Sequence, residues 1–197
     1  QIPSKKGPTT VSADESPRAD TTAESLAKLR PAFPSKSGNN DDLSVTAGNA
    51  SSLNDGAAAL VVTSEAYARA NGLTILARID AYATGATEPQ DLFFAPIHAV
   101  NNLMKKAGTK IGDYDLIEAN EAFASQAIAD GNGLEWNWDN VNVNGGAIAL
   151  GHPIGASGAR VLTTLLYALK DRGVERGLAT LCLGGGDAVA LSVSRVS

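Results

Sequence analysis

The sequence has 197 residues, of which 44% are hydrophobic and 19% are charged, an ordinary composition for a globular protein. The formal net charge of −5 argues against a nucleic-acid-binding surface, and no apolar run approaches the roughly 18 residues that span a bilayer. The single cysteine, Cys182, excludes an internal disulfide and indicates a reducing, intracellular compartment. The sequence shows no secretory signal and starts at Gln1 rather than Met, so we expect a processed or truncated piece of a longer protein.

The N-terminal part of the chain, residues 1–50, is rich in Ser, Thr, Pro and Asp and predicts an arm that would be poorly ordered alone. One short helix is expected after the threonines at 21–22, either of which can cap it, and Pro31 should end it. Residues 34–42 form a loop by composition. Basic residues outnumber acidic ones in the first forty positions, so the arm could contact an anionic ligand, although a solvated mixed-charge surface is the simpler interpretation.

Beyond residue 50 the sequence alternates between strand-like and helix-like patterns. The apolar run at residues 57–63 predicts a buried strand or a buried helical turn, and Ser64 should cap a short helix that Gly72 ends. The later predicted elements are a strand at 75–81, a helix from Pro96 to Gly108, a strand at 116–119, a helix capped by Asn120, a strand at 141–143, a helix with an apolar stripe from Val161 to Leu169 that Gly173 ends, and β-rich segments at 178–183 and 188–196. This alternation, closed by a hairpin that turns at three glycines, predicts an α/β layer fold with a mixed sheet and flanking helices.

Three polar residues lie at the turns where α/β folds place their functional groups, namely Asn120, His152 and Cys182. Asn120 ends an apolar strand and begins the motif N-E-A-F-A. It predicts either a helix N-cap or an amide that holds a water or an oxyanion at the mouth of a helix.

His152 lies in a glycine-rich turn, between Gly151 and Pro153. Because glycine has no side chain, such a turn lets a substrate approach the backbone closely, which favours a catalytic histidine. The alternative is a turn histidine whose ring is satisfied by the backbone. The other histidine, His98, is predicted to lie on a helix surface.

Cys182 belongs to the motif L-C-L-G-G-G at residues 181–186. A lone cysteine in an apolar strand is usually a small core residue. Here the following glycines can expose backbone N–H groups, which would suit a nucleophile or an acid–base group. None of the glycine runs has the G-x-G-x-x-G register, which argues against a dinucleotide-binding site.

Four blocks of sequence carry a family resemblance. They are A-G-N-A-S-S-L-N-D-G-A-A-A at 47–59, N-E-A-F-A at 120–124, G-G-A-I-A-L-G-H-P-I-G-A-S-G-A-R at 145–160 and C-L-G-G-G at 182–186. Together they resemble the thiolase family, most of all its acetyl-CoA acetyltransferases, the β-ketothiolases. The resemblance covers nearly the whole chain but only about the second half of a thiolase subunit. It implies a thiolase-like α/β fold, with residues 1–50 in the CoA-binding loop domain and residues 51–197 as the C-terminal core domain.

The resemblance implies a role for each candidate catalytic group. His152 would be the base that activates a nucleophilic cysteine. Cys182 would be the second cysteine, which moves a proton to or from the substrate α-carbon or the leaving thiolate. Asn120, acting through a water, would form one oxyanion hole with His152, and the backbone N–H of Gly184 would contribute to the other.

The resemblance also implies contacts with coenzyme A. Ser51 would contact the pantetheine part and Arg18 the nucleotide end. Phe33 and Phe123 would line the site. The CoA thioester is substrate rather than resident cofactor, and neither a cofactor nor a metal is expected.

The sequence departs from the family pattern in four respects. The cysteine acylated in thiolases belongs to their N-terminal half, and Cys182 does not take that role. The motif L-F-F-A-P at 92–96 replaces the usual M-G-x-G-P, which puts the acyl pocket and the preferred chain length in question. Asp187 and Ala188 follow the triple glycine where a glycine is common in second place, and the loop at 34–42 is longer than usual.

The resemblance therefore implies the C-terminal part of an acyltransferase that converts two acetyl-CoA into acetoacetyl-CoA and CoA, and catalyses the reverse thiolysis. This chain alone cannot form the acyl-enzyme, so an N-terminal half is an expected partner. A homotetramer is expected in the cytoplasm, with an organelle matrix not excluded, and without nucleic-acid or membrane partners. The alternative is an inactive thiolase-like protein that binds acyl-CoA or serves as a scaffold.

Overall fold

A computed structural model describes residues 1–14, 16–33 and 43–196. The loop predicted at 34–42 lies outside the described residues. In the described part of the chain, no helix is long and apolar enough to cross a membrane.

The N-terminal segment is largely exposed and carries one short helix, α1 (Ala23–Ala27). Thr22 caps it as predicted, because its hydroxyl accepts the Ser25 backbone N–H and Ser25 returns a bond to the Thr22 backbone. The helix ends at Ala27, before Pro31. The segment joins the core through the Asn49 carbonyl, which accepts the Ala124 N–H at 2.8 Å.

The remaining elements alternate between helix and strand. Their bounds are α2 (Glu65–Ala70), β1 (Ala77–Ala86), α3 (Ala95–Ala107), β2 (Leu116–Ala119), α4 (Ala124–Leu134), α5 (Ala147–Leu150), α6 (Ser157–Arg172), β3 (Arg176–Leu183) and β4 (Asp187–Arg195). Short 3-10 turns precede α3, β2 and α5 at Pro89–Phe94, Ile111–Asp113 and Trp138–Asn140. The predicted caps at the ends of α3 and α6 are confirmed, since Gly108 and Gly173 both adopt left-handed backbone conformations.

The four strands form a mixed sheet in the order β1-β4-β3-β2. Strands β2 and β3 are parallel, whereas β4 is antiparallel to both of its neighbours. The hairpin between β3 and β4 turns at the three glycines, as the sequence predicts. All four residues of β2 are buried, which fits a strand covered on both faces of the sheet.

Helices α3 and α6 cover opposite faces of this sheet. Val100 and Leu103 of α3 pack with Ile117 and Leu178 in one buried cluster. A second cluster joins α6 to the other face through Val161, Leu165, Leu169, Leu116, Ala179 and Val193. Successive residues of one strand thus enter different cores, which is the alternation expected of a strand between two helical layers.

Two predicted strands are absent from the structure. Residues 57–63 form neither a strand nor a helix, and Val61 is 89% exposed, so the predicted burial is wrong for this chain. Residues 141–143 make a single bridge from Val141 to Ile117 rather than a strand. The reason is that Asn142 has a φ of +47°, which turns the backbone out of an extended path.

Candidate active site

The candidate site lies at the carboxyl ends of the parallel strands β2 and β3. Asn120 directly follows β2, and its backbone N–H donates to the Thr180 carbonyl on β3 at 3.0 Å. Its side chain is 1% exposed. The prediction that Asn120 caps the following helix is wrong, because α4 begins at Ala124 and its N-cap residue is Phe123. The Asn120 amide is therefore available to other side chains.

His152 contacts Asn120 directly. The turn after α5 passes through Gly151 at φ +94°, and the His152 backbone N–H donates to the Ser52 carbonyl at 2.9 Å. This backbone bond leaves the ring itself available, with Nε2 lying 3.4 Å from Asn120 Nδ2. The other ring nitrogen, Nδ1, lies 2.7 Å from the Ser157 hydroxyl.

The surroundings of His152 keep its ring neutral. Burial lowers the pKa of His152 below its ordinary value, and the nearby positive charge of Arg160 lowers that pKa further. A neutral imidazole can accept a proton, so the ring is suited to act as a general base near neutral pH.

A buried ion pair lies behind this contact. Arg160 NH1 lies 3.0 Å from Glu118 Oε1, and Arg160 NH2 donates to Asn120 Oδ1 at 3.4 Å. Burial raises the pKa of Glu118 to about 7, against the lowering effect of the Arg160 charge. Neither residue stands out as a candidate in the sequence, although a lone glutamate in the apolar strand β2 signals a buried partner of opposite charge.

Cys182 lies on β3, two residues beyond the carbonyl that binds Asn120. The thiol is half-buried. Burial raises the pKa of Cys182, and the negative charge of the Asp130 carboxylate raises that pKa further. The group is thus a protonated thiol at neutral pH. This property suits a proton donor better than a spontaneously ionised nucleophile.

Gly184 begins the hairpin turn after Cys182. It is exposed, and a Cβ built on it would meet no heavy atom within 4 Å. The two glycines that follow have positive φ values, +88° at Gly185 and +100° at Gly186, which side chains would disfavour. The turn therefore presents open backbone at the same end of the sheet as Asn120.

Two of the four predicted CoA contacts lie beside this site. The Ser51 hydroxyl and backbone N–H both donate to the Ala122 carbonyl, at 2.9 and 3.1 Å. The Phe123 ring packs at a 55° tilt against Phe93, with 5.0 Å between the ring centroids. Phe93 of the unusual motif at 92–96 thus contacts the N-E-A-F-A segment.

The structure places the other two predicted CoA contacts on the N-terminal segment. Arg18 is exposed, and the side chain of Phe33 is 62% exposed. Both lie on the arm that the sequence predicts to be poorly ordered alone, and the structure does not bring them to His152.

Glu121 and Asn142 hold the backbone around the site, and neither stands out as a candidate in the sequence. Glu121 accepts the Ile148 N–H at 3.2 Å and an Asn142 amide hydrogen at 2.9 Å. Asn142 in turn bonds both backbone groups of Ala119 at 2.8 Å, as a neighbouring strand would. A Cβ on Gly146 would lie 2.1 Å from the Glu121 carboxyl carbon, so only glycine allows this approach.

Metal ligation has no support in residues 1–14, 16–33 and 43–196. These ranges contain no group of three or more His, Cys, Asp or Glu side chains placed to hold a metal ion.

Comparison with known proteins decides the family. The thiolase C-terminal domain model matches residues 73–195, and the thiolase N-terminal domain model matches residues 1–66. The chain belongs to the thiolase family. The N-terminal match extends past residue 50, and the domain boundary placed there from the sequence stays a prediction.

Thiolases with curated names are similar over nearly the whole of this chain. The acetyl-CoA acetyltransferase of Pseudomonas aeruginosa is 55% identical over 99% of this chain and 48% of its own length. That of Paracoccus denitrificans is 55% identical over 98% of this chain and 48% of its own length. The chain thus spans about half the length of the curated relatives it matches.

Solved thiolase structures share the fold. The acetyl-CoA acetyltransferase of Bacillus anthracis matches with a TM-score of 0.87 and 48% identity, over 93% of this chain and 45% of its own. Human mitochondrial 3-ketoacyl-CoA thiolase in complex with CoA matches with a TM-score of 0.85 and 39% identity, over 95% of this chain and 46% of its own. The predicted thiolase-like α/β fold is confirmed.

Within this thiolase chain, helix α4 carries a fully buried carboxyl group. Asp130 is 0% exposed, and its Oδ2 accepts a hydrogen bond from the side-chain amide of Gln126. Gln126 Oε1 accepts the Ala122 N–H, so its NH₂ group must point to Asp130. Asp130 Oδ1 has no hydrogen-bond partner among the described residues. Burial raises the pKa of Asp130 to about 7.

Replacing Asp130 by asparagine should stabilise the chain above pH 7. The folded-state pKa of Asp130 lies above its ordinary value of 3.8, so the folded chain binds this proton more tightly than the unfolded chain. Its contribution to the free energy of unfolding is therefore present below pH 4 and is lost as pH rises to about 7. By this linkage, Asp130→Asn gains at most about 4 kcal/mol over wild type at pH 8 and little at pH 4.

Urea unfolding at pH 4 to 8 measures this effect. Glu118 contributes a slope of the same sign, so the variant should show a reduced pH dependence rather than none. Asp139→Asn, at an exposed position, is the matched control and should leave the wild-type profile unchanged. An Asp130→Asn profile parallel to wild type would contradict the assignment.

Proposed function

We propose that this chain provides the C-terminal catalytic half of a thiolase that transfers acyl groups between CoA thioesters. The reaction is the condensation of two acetyl-CoA to acetoacetyl-CoA and CoA, together with its reverse. The observation that carries the proposal is the contact between Asn120 and a neutral His152, at the strand ends where Cys182 also lies. The family membership and the names of the relatives support the same reaction class.

In the proposed mechanism, His152 removes the proton from a nucleophilic cysteine supplied by the N-terminal half. Its neutral ring supports this role. The thiolate attacks the thioester carbonyl, CoA leaves as its thiol after taking up the proton of Cys182, and the acyl group remains on the nucleophilic cysteine. A second acetyl-CoA then loses an α-proton to the Cys182 thiolate, and its enolate attacks the acyl carbon. The tetrahedral intermediate expels the nucleophilic cysteine as its thiolate, which recovers its proton from His152.

The enolate needs hydrogen-bond donors at its oxygen, and each such donor typically contributes about 3 kcal/mol. We assign this role to Asn120, acting through a water, together with His152. The backbone N–H of Gly184 serves the acyl oxygen, and the open space at Gly184 supports close approach of a substrate.

Cys182 acts as the proton carrier in this proposal. It gives its proton to the leaving CoA thiolate and, as the thiolate so formed, accepts the α-proton during condensation; in thiolysis the same transfers run in reverse. Its raised pKa supports this role, because a thiol that holds its proton at neutral pH can deliver it to a carbanion.

The CoA thioester is held, in this proposal, by residues around the Ser52–His152 backbone bond. Ser51 and Phe123 are already beside the site and contact the pantetheine arm. Arg18 and Phe33 complete the contacts once the N-terminal segment is held against the rest of the enzyme, with Arg18 at the phosphates. The two phenylalanines at 93 and 94 shape the acyl pocket in this proposal, and the contact of Phe93 with Phe123 supports a place for it beside the site.

The second half of the active site comes from an N-terminal thiolase half. The exposed run at residues 57–63 supports this, because Val61 and Val62 are 89% and 72% exposed in a segment outside the helices and strands. An exposed apolar run of this kind is suited to be covered by a further part of the enzyme. A homotetramer of the assembled subunit remains a prediction.

Supplying a thiolase N-terminal half in trans tests the proposed function. We expect the mixture to cleave acetoacetyl-CoA with added CoA, and to lose that activity when the nucleophilic cysteine of the N-terminal half is changed to serine. Intact-mass analysis establishes which species are present. Full activity from a single 20.2 kDa species would contradict the need for a second half.

The alternative function is CoA or acyl-CoA binding without turnover. It predicts binding in the same mixture and no acetoacetyl-CoA cleavage with any N-terminal half. The paired Asn120 and His152 side chains favour the enzyme, since a scaffold has no need of a neutral base in contact with an amide.

A further inference from the structure

The polar groups behind His152 form one directional chain of hydrogen bonds. Glu118, Arg160, Asn120, His152 and Ser157 follow one another with separations of 3.0, 3.4, 3.4 and 2.7 Å. The chain ends at the Pro153 carbonyl, 3.0 Å from the Ser157 hydroxyl. Glu118, Asn120 and Ser157 are each at most 1% exposed, so water does not compete for most of these groups.

The guanidinium group determines how the Asn120 amide is oriented. A guanidinium has only donors, so the Asn120 atom that faces Arg160 must be the oxygen Oδ1. The Asn120 NH₂ group consequently faces His152. With the amide flipped, two donors would meet at the guanidinium, and a buried bond would be lost at a cost of about 1 to 3 kcal/mol.

The amide in turn determines the tautomer of His152. Because Asn120 Nδ2 is a donor, His152 Nε2 must be an acceptor and cannot carry the proton. The proton then lies on Nδ1 and is donated to Ser157 Oγ. The Ser157 hydroxyl is free to receive it, since its own hydrogen goes to the Pro153 carbonyl.

We propose that Arg160, held by Glu118, is a positioning residue that fixes the Asn120 amide and thereby keeps His152 in the Nδ1–H tautomer. This inference rests on the proposed function and deepens it, because it leaves the Nε2 lone pair to serve as the base. The contact of 3.4 Å from Asn120 Nδ2 is long, so a stronger proton donor can displace it. Neither ion-pair residue touches the reacting atoms; both act through Asn120.

Burying the Glu118–Arg160 ion pair costs desolvation free energy that apolar side chains would not cost, which argues for a role beyond packing. Buried ion pairs are often no more stabilising than apolar residues of the same volume. The charged groups around the site are Arg160 on α6, Glu118 on β2, Glu121 after β2 and Asp55 in the segment that pairs with His152. Burial lowers the pKa of His152, and among these four charged groups it is Arg160 that lowers that pKa further.

NMR of the full chain labelled with nitrogen-15 histidine tests the inference. The chain has two histidines, and the exposed His98 on α3 provides a reference outside the network. We expect His152 of the wild type to show the Nδ1–H tautomer. In Arg160→Gln, the tautomers should mix and the His152 pKa should rise, because the positive charge that lowers it is gone.

Two variants separate positioning from charge. Arg160→Lys keeps the charge but has one nitrogen in place of the two that bind Glu118 and Asn120. When this ammonium pairs with Glu118 it no longer reaches Asn120 Oδ1, so the tautomers should mix while the pKa stays near that of the wild type. Glu118→Gln keeps an acceptor for Arg160 but leaves its charge uncompensated, so the tautomer should persist while the pKa falls. An Nε2–H tautomer in the wild type, or an unchanged tautomer in both Arg160 variants, would overturn the inference.

A double variant tests whether a folding defect, rather than the loss of positioning, explains the mixed tautomers of the single variants. Glu118→Leu combined with Arg160→Met leaves no buried charge and should fold, as its thermal unfolding will report. It should show mixed tautomers like Arg160→Gln, and retention of the Nδ1–H tautomer in this folded variant would refute the inference.

Activity in the complemented enzyme distinguishes this inference from the function itself. Arg160→Gln should lower kcat roughly 10- to 100-fold with little change in KM, as expected for a misplaced catalytic group. An inactive wild type with the expected tautomer shifts would refute the proposed function and leave the positioning role standing. An active wild type whose His152 tautomer does not change in the Arg160 variants would support the proposed function and refute the positioning role.

Discussion

The His152→Asn variant, assembled with a thiolase N-terminal half, is expected to cleave acetoacetyl-CoA roughly 100- to 10,000-fold more slowly than wild type. Asparagine can keep a polar contact to Asn120 or Ser157 but cannot accept a proton near neutral pH. The measurement is kcat/KM for thiolysis with CoA as second substrate. His98→Asn is the matched control, because His98 is exposed on α3, and its activity should stay within about twofold of wild type.

The pH profile sharpens this prediction. Activity should fall on the acid side as the base becomes protonated, and burial with Arg160 lowers the pKa of His152 below 6.5. The acid limb of kcat/KM in the wild type should therefore lie below the ordinary histidine range. An acid limb that persists unchanged in His152→Asn would assign the base to another group.

Gly85→Ala is expected to destabilise the fold by about 3 kcal/mol or more. A Cβ at Gly85 of β1 would lie 2.1 Å from the backbone nitrogen of Ala99 and 2.6 Å from the carbonyl carbon of His98, both in α3. These are backbone atoms, so no side-chain rotation can relieve the contact. Helix α3 must move away from β1, which opens the core cluster around Val100 and Leu103.

Urea unfolding of Gly85→Ala and Gly112→Ala at one pH measures this difference. Gly112 lies in the 3-10 turn at Ile111–Asp113, and a Cβ there would meet nothing within 4 Å. Its substitution should change the free energy of unfolding by no more than about 1 kcal/mol. Equal stabilities for the two variants would show that β1 and α3 are not in the contact described.

Elements with a strong local pattern could be predicted from the sequence. Helix α3, with Pro96 near its start and Gly108 at its end, and the stripe of α6 lie where their periodicity predicts. The β3–β4 hairpin follows from β-rich segments joined by glycines. These features depend on backbone preferences and on burial of one face, both of which nearby residues encode.

Elements that depend on distant partners were predicted incorrectly. The apolar run at 57–63 has the composition of a buried strand but pairs with no strand in the part of the chain that the structure describes. Asn120 has the residue type of a helix cap, yet the N-cap residue is Phe123, three residues later, and the Asn120 amide instead bonds Arg160 and lies against His152. In such cases, contacts between residues that are distant in the chain override the local conformational preference of the sequence.

Motifs record residue types in order along the chain, so residue order alone was enough to indicate the family, the α/β class and three candidate groups, Asn120, His152 and Cys182. Only the folded arrangement shows which of these groups meet. Parallel pairing of β2 with β3 brings Asn120 alongside the strand that bears Cys182, and the turn after α5 brings His152 to Asn120. The buried partners Glu118 and Arg160 lie 42 positions apart in the chain, and only the structure shows that they meet. The reason is that the low-dielectric surroundings of this pair form only when the chain folds.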